Sequence, residues 1–109
     1  KSDRIFDLSK DFKRLRDLIT TISQCDVLIS SSTGPMHLAS ALGVNTISIF
    51  CHNAMCRIAR WGALGEKAHN IEVDASYCES HCNEIVSQCE MEKAISTDQI
   101  LAELSQILN

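Results

Sequence analysis

The stretch with the clearest chemical character is residues 30–37, Ser-Ser-Ser-Thr-Gly-Pro-Met-His. Four hydroxyl side chains precede Gly34 and Pro35, and His37 follows the glycine by three residues. Such a run is turn chemistry leading into a helix, because Pro35 suits a first helical turn, where its missing N–H would have had no partner. At a helix start the first N–H groups lack intrahelical acceptors, and the aligned peptide dipoles leave partial positive charge. With hydroxyls from Ser31, Ser32 and Thr33, and Gly34 letting backbone approach closely, a phosphate fits there. His37 lies about one turn further on, within reach of the same pocket. The plain structural alternative is that Thr33 only caps the helix and His37 faces solvent.

Positioning this turn requires a strand before it and a helix after it. Val27, Leu28 and Ile29 form a short apolar run of the kind that suits a strand buried on both faces. Leu38, Ala41 and Leu42 repeat at helical spacing, and Gly43 is placed as the C-terminal stop. Thr46–Phe50 reads as a second buried strand. Residues 26–50 are therefore one strand–helix–strand unit whose first turn is built to hold an anion.

The full string Ser-Thr-Gly-Pro-Met-His-Leu-Ala-Ser-Ala-Leu-Gly-Val, residues 32–44, resembles the nucleotide-sugar-binding motif of glycosyltransferase family nine, the lipopolysaccharide heptosyltransferases and their relatives. Arg60-Trp61-Gly62 with Gly65 is similar to the segment after that family's next strand, and Cys89-x-Met91 ahead of Ile95 to its C-terminal tail. The resemblance runs from about Asp7 to Leu108. It is most specific in the core motif and weaker at each flank.

Composition sets the outer bounds. At 109 residues the chain is one domain at most, with 45% hydrophobic and 22% charged residues, as in an ordinary soluble globular domain. A net charge of −4 argues against a broad nucleic-acid footprint. No apolar run approaches the roughly 20 residues that span a bilayer. There is no signal-peptide pattern and the first residue is Lys1, so a piece of a longer protein is expected. Six cysteines, at 25, 51, 56, 78, 82 and 89, are many for this length. Cys25 and Cys51 border apolar runs and are expected to behave as small buried hydrophobes, and reduced thiols are expected throughout. Cys78-x3-Cys82-x6-Cys89 with His81 offers soft ligands, but the spacing is looser than in paired zinc knuckles, so no metal site is assigned; a native disulfide is the other alternative to free or partly buried thiols in this stretch.

Elsewhere the elements are ordinary. Arg4–Leu8 is a short strand or an extended lead-in. Ser9 is the expected N-cap of a helix with the stripe Phe12, Leu15, Ile19 and Ile22, ending near Gln24. His52 and Asn53 fall at the carboxyl end of the second strand, where parallel sheets bind ligands, and Arg57, Arg60 and Trp61 follow as surface or cleft residues. His69–Val73 reads as a further strand. Ser96 and Gln99 form a capping box for a last helix whose stripe of Ile100, Leu104, Ile107 and Leu108 must bury against a neighbour.

Alternating strands and helices give an α/β fold with a Rossmann-like parallel sheet and flanking helices, about four strands and three helices. The resemblance implies most of the C-terminal, donor-binding half of a two-domain GT-B glycosyltransferase, incomplete at its start, with residues 1–109 as one nucleotide-sugar-binding domain. It implies sugar transfer in lipopolysaccharide or cell-envelope glycan synthesis, in the cytoplasm at the inner face of the inner membrane, with peripheral membrane association of the full-length protein. The donor typical of the resemblance is ADP-heptose, and no separate cofactor or metal is implied. The catalytic carboxylate and the glycolipid-acceptor contacts would belong to the missing N-terminal half, so no catalytic residue is assigned here. Ser31, Ser32, Thr33, Gly34 and His37 are the donor-binding candidates. Ser32 departs from the aspartate that heptosyltransferases often carry; a serine cannot act as a base, which leaves the donor sugar open. The rival classes are a non-catalytic Rossmann-like nucleotide-binding or regulatory domain, and a cysteine-rich metal or redox module.

Overall fold

Three short strands lie side by side in the computed structural model, which describes residues 3–31, 33–52, 58–81 and 93–109, with the backbone alone at 60, 80 and 81. The elements run α1 (Leu15–Ser23), β1 (Val27–Ser31), α2 (Gly34–Ala41), β2 (Asn45–Phe50), α3 (Ile58–Trp61), β3 (Ala68–Glu72), α4 (Ala75–His81) and α5 (Thr97–Leu108). The sheet order is β1-β2-β3, all parallel, with Ser31 level with Ile49 and Phe50 level with Glu72. The expected α/β class and parallel sheet are thus present; among the described residues there are three strands and five helices rather than four and three.

The strand–helix–strand unit forms as its sequence dictates. Gly43 has φ 76°, and the Gly43 N–H donates to the Ser40 carbonyl at 3.2 Å while the Val44 N–H donates to the Ala39 carbonyl at 3.0 Å. These two bonds are a Schellman closure, which satisfies the last carbonyls of α2 and turns the chain into β2. Ala39 and Val44 are both buried and pack with Ile22 of α1, against Leu18, Leu28 and Leu38. A second cluster joins Met36, Phe50 and Ala63, flanked by Ile58 and Ala68. Through it α2, β2 and the segment after α3 hold one another in place. Asn70 of β3 secures that segment at both ends of one residue, accepting from the Ala63 N–H at 3.3 Å and donating to the Ala63 carbonyl at 3.0 Å.

Several expectations are corrected. Of the two readings of Arg4–Leu8, the strand is absent and the stretch is a lead-in without regular structure after a turn at Arg4. Ser9 does not cap α1: its N–H and Oγ both donate to Asp7 Oδ1. The helix starts at Leu15 because Asp17 Oδ2 accepts from the backbone N–H groups of Lys13 and Arg14, each at 3.1 Å. The inward stripe consequently uses Leu18 and Ile22, and Leu15 is exposed. Cys25 is exposed rather than buried, its Sγ donating to the Thr21 carbonyl at 3.4 Å. β1 is not buried on both faces: Ile29 keeps 46% of its surface exposed, and among the described residues the strand pairs with β2 alone. On α5, Ser96 Oγ accepts from the Gln99 N–H at 3.1 Å as the capping pattern requires, yet no residue of the helix is fully buried. Its tie to the sheet includes Glu103 Oε2, 3.1 Å from His69 Nδ1 of β3. Among the described residues no helix is long and apolar enough to cross a membrane.

Candidate functional site

Because the three strands are parallel and in register, their carboxyl ends open on one edge of the sheet, where the connections to α2, α3 and α4 begin. That edge is where open α/β sheets bind ligands. The first connection is the Ser31–Gly34 turn. The Ser31 carbonyl accepts from the Thr33 N–H at 2.8 Å, from Ser30 Oγ at 2.9 Å and from Thr33 Oγ1 at 3.4 Å, so the turn is closed on itself. Thr33 is the N-cap of α2 by backbone geometry, but its side chain makes no capping bond. The plain capping alternative for Thr33 is therefore not how this hydroxyl is used.

Gly34 opens the helix with Pro35 behind it. Its φ is not in the left-handed region, and a Cβ built on it would meet nothing within 4 Å. The glycine thus answers no steric demand of the protein itself; it leaves the front of the helix terminus open. Ser31 and Thr33 are exposed on either side of that opening, and Ser32 lies outside the described residues.

His37 is exposed on α2, on the side where Ser40 Oγ donates to the Leu64 carbonyl at 2.8 Å. With Ser40, Ala41, Leu64 and Gly65 it lines a cavity of about 420 Å³. Ser31, Thr33 and Gly34 do not line that cavity. The structure therefore groups Ser31, Thr33 and Gly34 at the turn and sets His37 on its flank.

The second and third strands add a feature that sequence reading missed. Glu72, the last residue of β3, has Oε2 3.1 Å from His52 Nδ1 and accepts with Oε1 from the Ile58 N–H at 3.0 Å. One carboxylate thus grips the chain just after β2 and again at the start of α3. Beside it, Cys51 Sγ lies 3.9 Å from Cys78 Sγ of α4. The signal for Glu72 was a carboxylate at the end of a predicted strand; for the thiols it was only their number. Trp61 ends α3 half-exposed. Asn53, Cys56, Arg57, Cys82, Cys89 and Met91 lie outside the described residues, as do the side chains of Arg60 and His81. Among the described residues no group of three or more His, Cys, Asp or Glu side chains is arranged to hold a metal ion.

Residues 13–95 match the profile of glycosyltransferase family 9 (heptosyltransferase). The chain belongs to this family. The matched stretch takes in α1 to α4 and the whole sheet, includes the Ser31–Gly34 turn, and leaves α5 outside. A relative in Haemophilus influenzae, named "Putative glycosyltransferase", is 31% identical over 93 residues, which cover 85% of this chain and 25% of that protein. The chain thus spans about a quarter of the length of that curated relative. No solved structure matches it.

Proposed function

We propose that this family 9 chain is the donor-binding part of a nucleotide-sugar-dependent glycosyltransferase. The observation that carries the reading is the open helix start at Gly34, set at the carboxyl edge of a parallel sheet within the stretch that matches the family. In the reaction, an acceptor hydroxyl loses its proton and attacks the anomeric carbon of the donor sugar. The bond from that carbon to the nucleoside diphosphate breaks, and negative charge grows on the departing diphosphate. The helix terminus and the hydroxyls of Ser31, Ser32 and Thr33 stabilise that charge, with Gly34 leaving room for the phosphate oxygens. His37 adds a polar contact from the flank. The base, the acceptor contacts and the acceptor, a glycolipid of the lipopolysaccharide or cell-envelope class, belong with polypeptide beyond this chain. The donor is a nucleotide sugar whose sugar and base Ser32 leaves open, ADP-heptose being the one typical of the resemblance; the work is cytoplasmic, and nucleic acid is not a partner.

Thermal unfolding of the complete protein tests the reading. A ligand that binds only the folded state stabilises it by mass action, about 2.7 kcal/mol at a hundred times its Kd. A nucleoside diphosphate or its sugar should therefore raise Tm, with ADP compared against UDP and GDP. If no nucleotide raises Tm and no nucleotide sugar is consumed with a lipid acceptor, the donor-site reading fails.

His37→Ala should weaken donor binding by roughly tenfold, the loss of one hydrogen bond to a charged oxygen at about 1.5 kcal/mol. His37→Gln should recover part of it, because the amide restores a donor. Calorimetric titration with the nucleoside diphosphate measures both. Unchanged affinity in His37→Ala would leave the histidine with the Leu64–Gly65 side of its cavity and no part in the donor site.

A further inference from the structure

We infer that Cys51 and Cys78 form an oxidation site, a thiol pair that a hydroperoxide converts into a disulfide tying the end of β2 to α4. The two residues are 27 apart in sequence, so their contact is made by the fold and not by chain proximity. Cys51 follows directly on β2, and Cys78 sits in α4, where its N–H donates to the Asp74 carbonyl at 2.9 Å. The sulfurs stand 3.9 Å apart, near van der Waals contact. A disulfide requires about 2.05 Å, so the sulfurs must close by roughly 1.9 Å, which side-chain rotation and a small shift of a seven-residue helix can supply. Both residues are half-buried, so neither is wholly shut off from solvent.

The chemistry balances with one equivalent of hydroperoxide. One sulfur, as its thiolate, attacks the O–O bond; that bond breaks, an alcohol leaves, and a sulfenic acid remains. The second sulfur attacks the first, the S–O bond breaks, and the hydroxide leaves as water with the proton shed by the second thiol. Two thiols and a hydroperoxide thus become a disulfide, an alcohol and a water. The sulfurs lose two electrons and the peroxide oxygens gain them. The new bond lies beside His52, whose ring meets Glu72, so it tethers the same sheet edge that carries the Ser31–Gly34 turn. Cys25 serves as an internal comparison, being exposed, with its Sγ directed at the Thr21 carbonyl.

The complete protein is treated with hydrogen peroxide, blocked with an alkylating agent and digested without reductant. The expected result is a linked pair of peptides containing Cys51 and Cys78 as the main product. Dithiothreitol should abolish it; Cys51→Ser and Cys78→Ser should each abolish it, and Cys25→Ser should leave it unchanged. The unsubstituted protein alone decides the matter if either serine variant fails to fold. Three results would overturn the inference: both thiols still alkylated in full after peroxide, either one linked mainly to a different cysteine, or stoichiometric zinc that shields both from alkylation. None of these readouts depends on sugar transfer.

Discussion

Gly34→Val in the complete protein is expected to raise the donor Kd roughly 10- to 100-fold, about 1.5–3 kcal/mol, the scale of a hydrogen bond to a charged group. Tm should move little. The separation follows from geometry. Gly34 is helical without a positive φ and has nothing within 4 Å of where a Cβ would stand, so a side chain there starts in open space with no left-handed backbone to strain it. What the valine does meet is the space in front of the helix terminus, where the diphosphate is proposed to lie. Gly62 shows the opposite case. A Cβ there would stand 2.8 Å from the Ile58 carbonyl oxygen and 2.9 Å from Ile58 Cγ2, so that glycine is required by packing after α3. One glycine is enclosed by protein and the other is open. If Gly34→Val binds donor as tightly as the parent while remaining folded, the phosphate sits elsewhere.

The parts legible in the sequence are those fixed by a few consecutive residues. Gly43 as the stop of α2, the β2 strand and the Ser96 cap each depend on local backbone chemistry, and each stands within a residue or two of its expected place. Readings failed where a distant or competing partner decides. The start of α1 went to Leu15 because the Asp17 carboxylate captures two preceding N–H groups, a contest that the apolar stripe cannot reveal. Ile29 is exposed while Leu28 packs on the core, because an apolar run does not say whether both faces of its strand are covered. Of the site, the hydroxyl-rich turn was legible as a motif. The Glu72 grip on His52 and Ile58, and the approach of Cys51 to Cys78, were not. Both arise from the order of parallel strands and their crossovers, and residue types alone do not encode which ends meet.

The largest stability effect is expected at Phe50. This ring is wholly inaccessible to solvent, as is Met36, and the two pack with Ala63 between α2, β2 and the segment after α3. Its carbonyl accepts from the Val73 N–H at 2.9 Å, so the same residue marks the point where β2 and β3 end together below the candidate site. Phe50→Ala removes most of a ring and leaves a cavity that α2 cannot close, because the Schellman turn and the cluster of Ile22, Ala39 and Val44 fix the other end of that helix. The cost should be about 3–5 kcal/mol, a large share of the roughly 5–15 kcal/mol that holds a typical domain folded. Phe50→Leu keeps much of the volume, and a swap of that kind costs less, about 1.5 kcal/mol. Urea unfolding of the complete protein, read by a probe within this domain, should show the midpoint falling strongly for alanine and modestly for leucine. Donor affinity in the leucine variant should stay near the parent value, because Phe50 supports the turn through Met36 and does not itself face the opening at Gly34. A loss below about 1 kcal/mol for Phe50→Ala would mean that the second cluster is not what holds α2 over the end of β2.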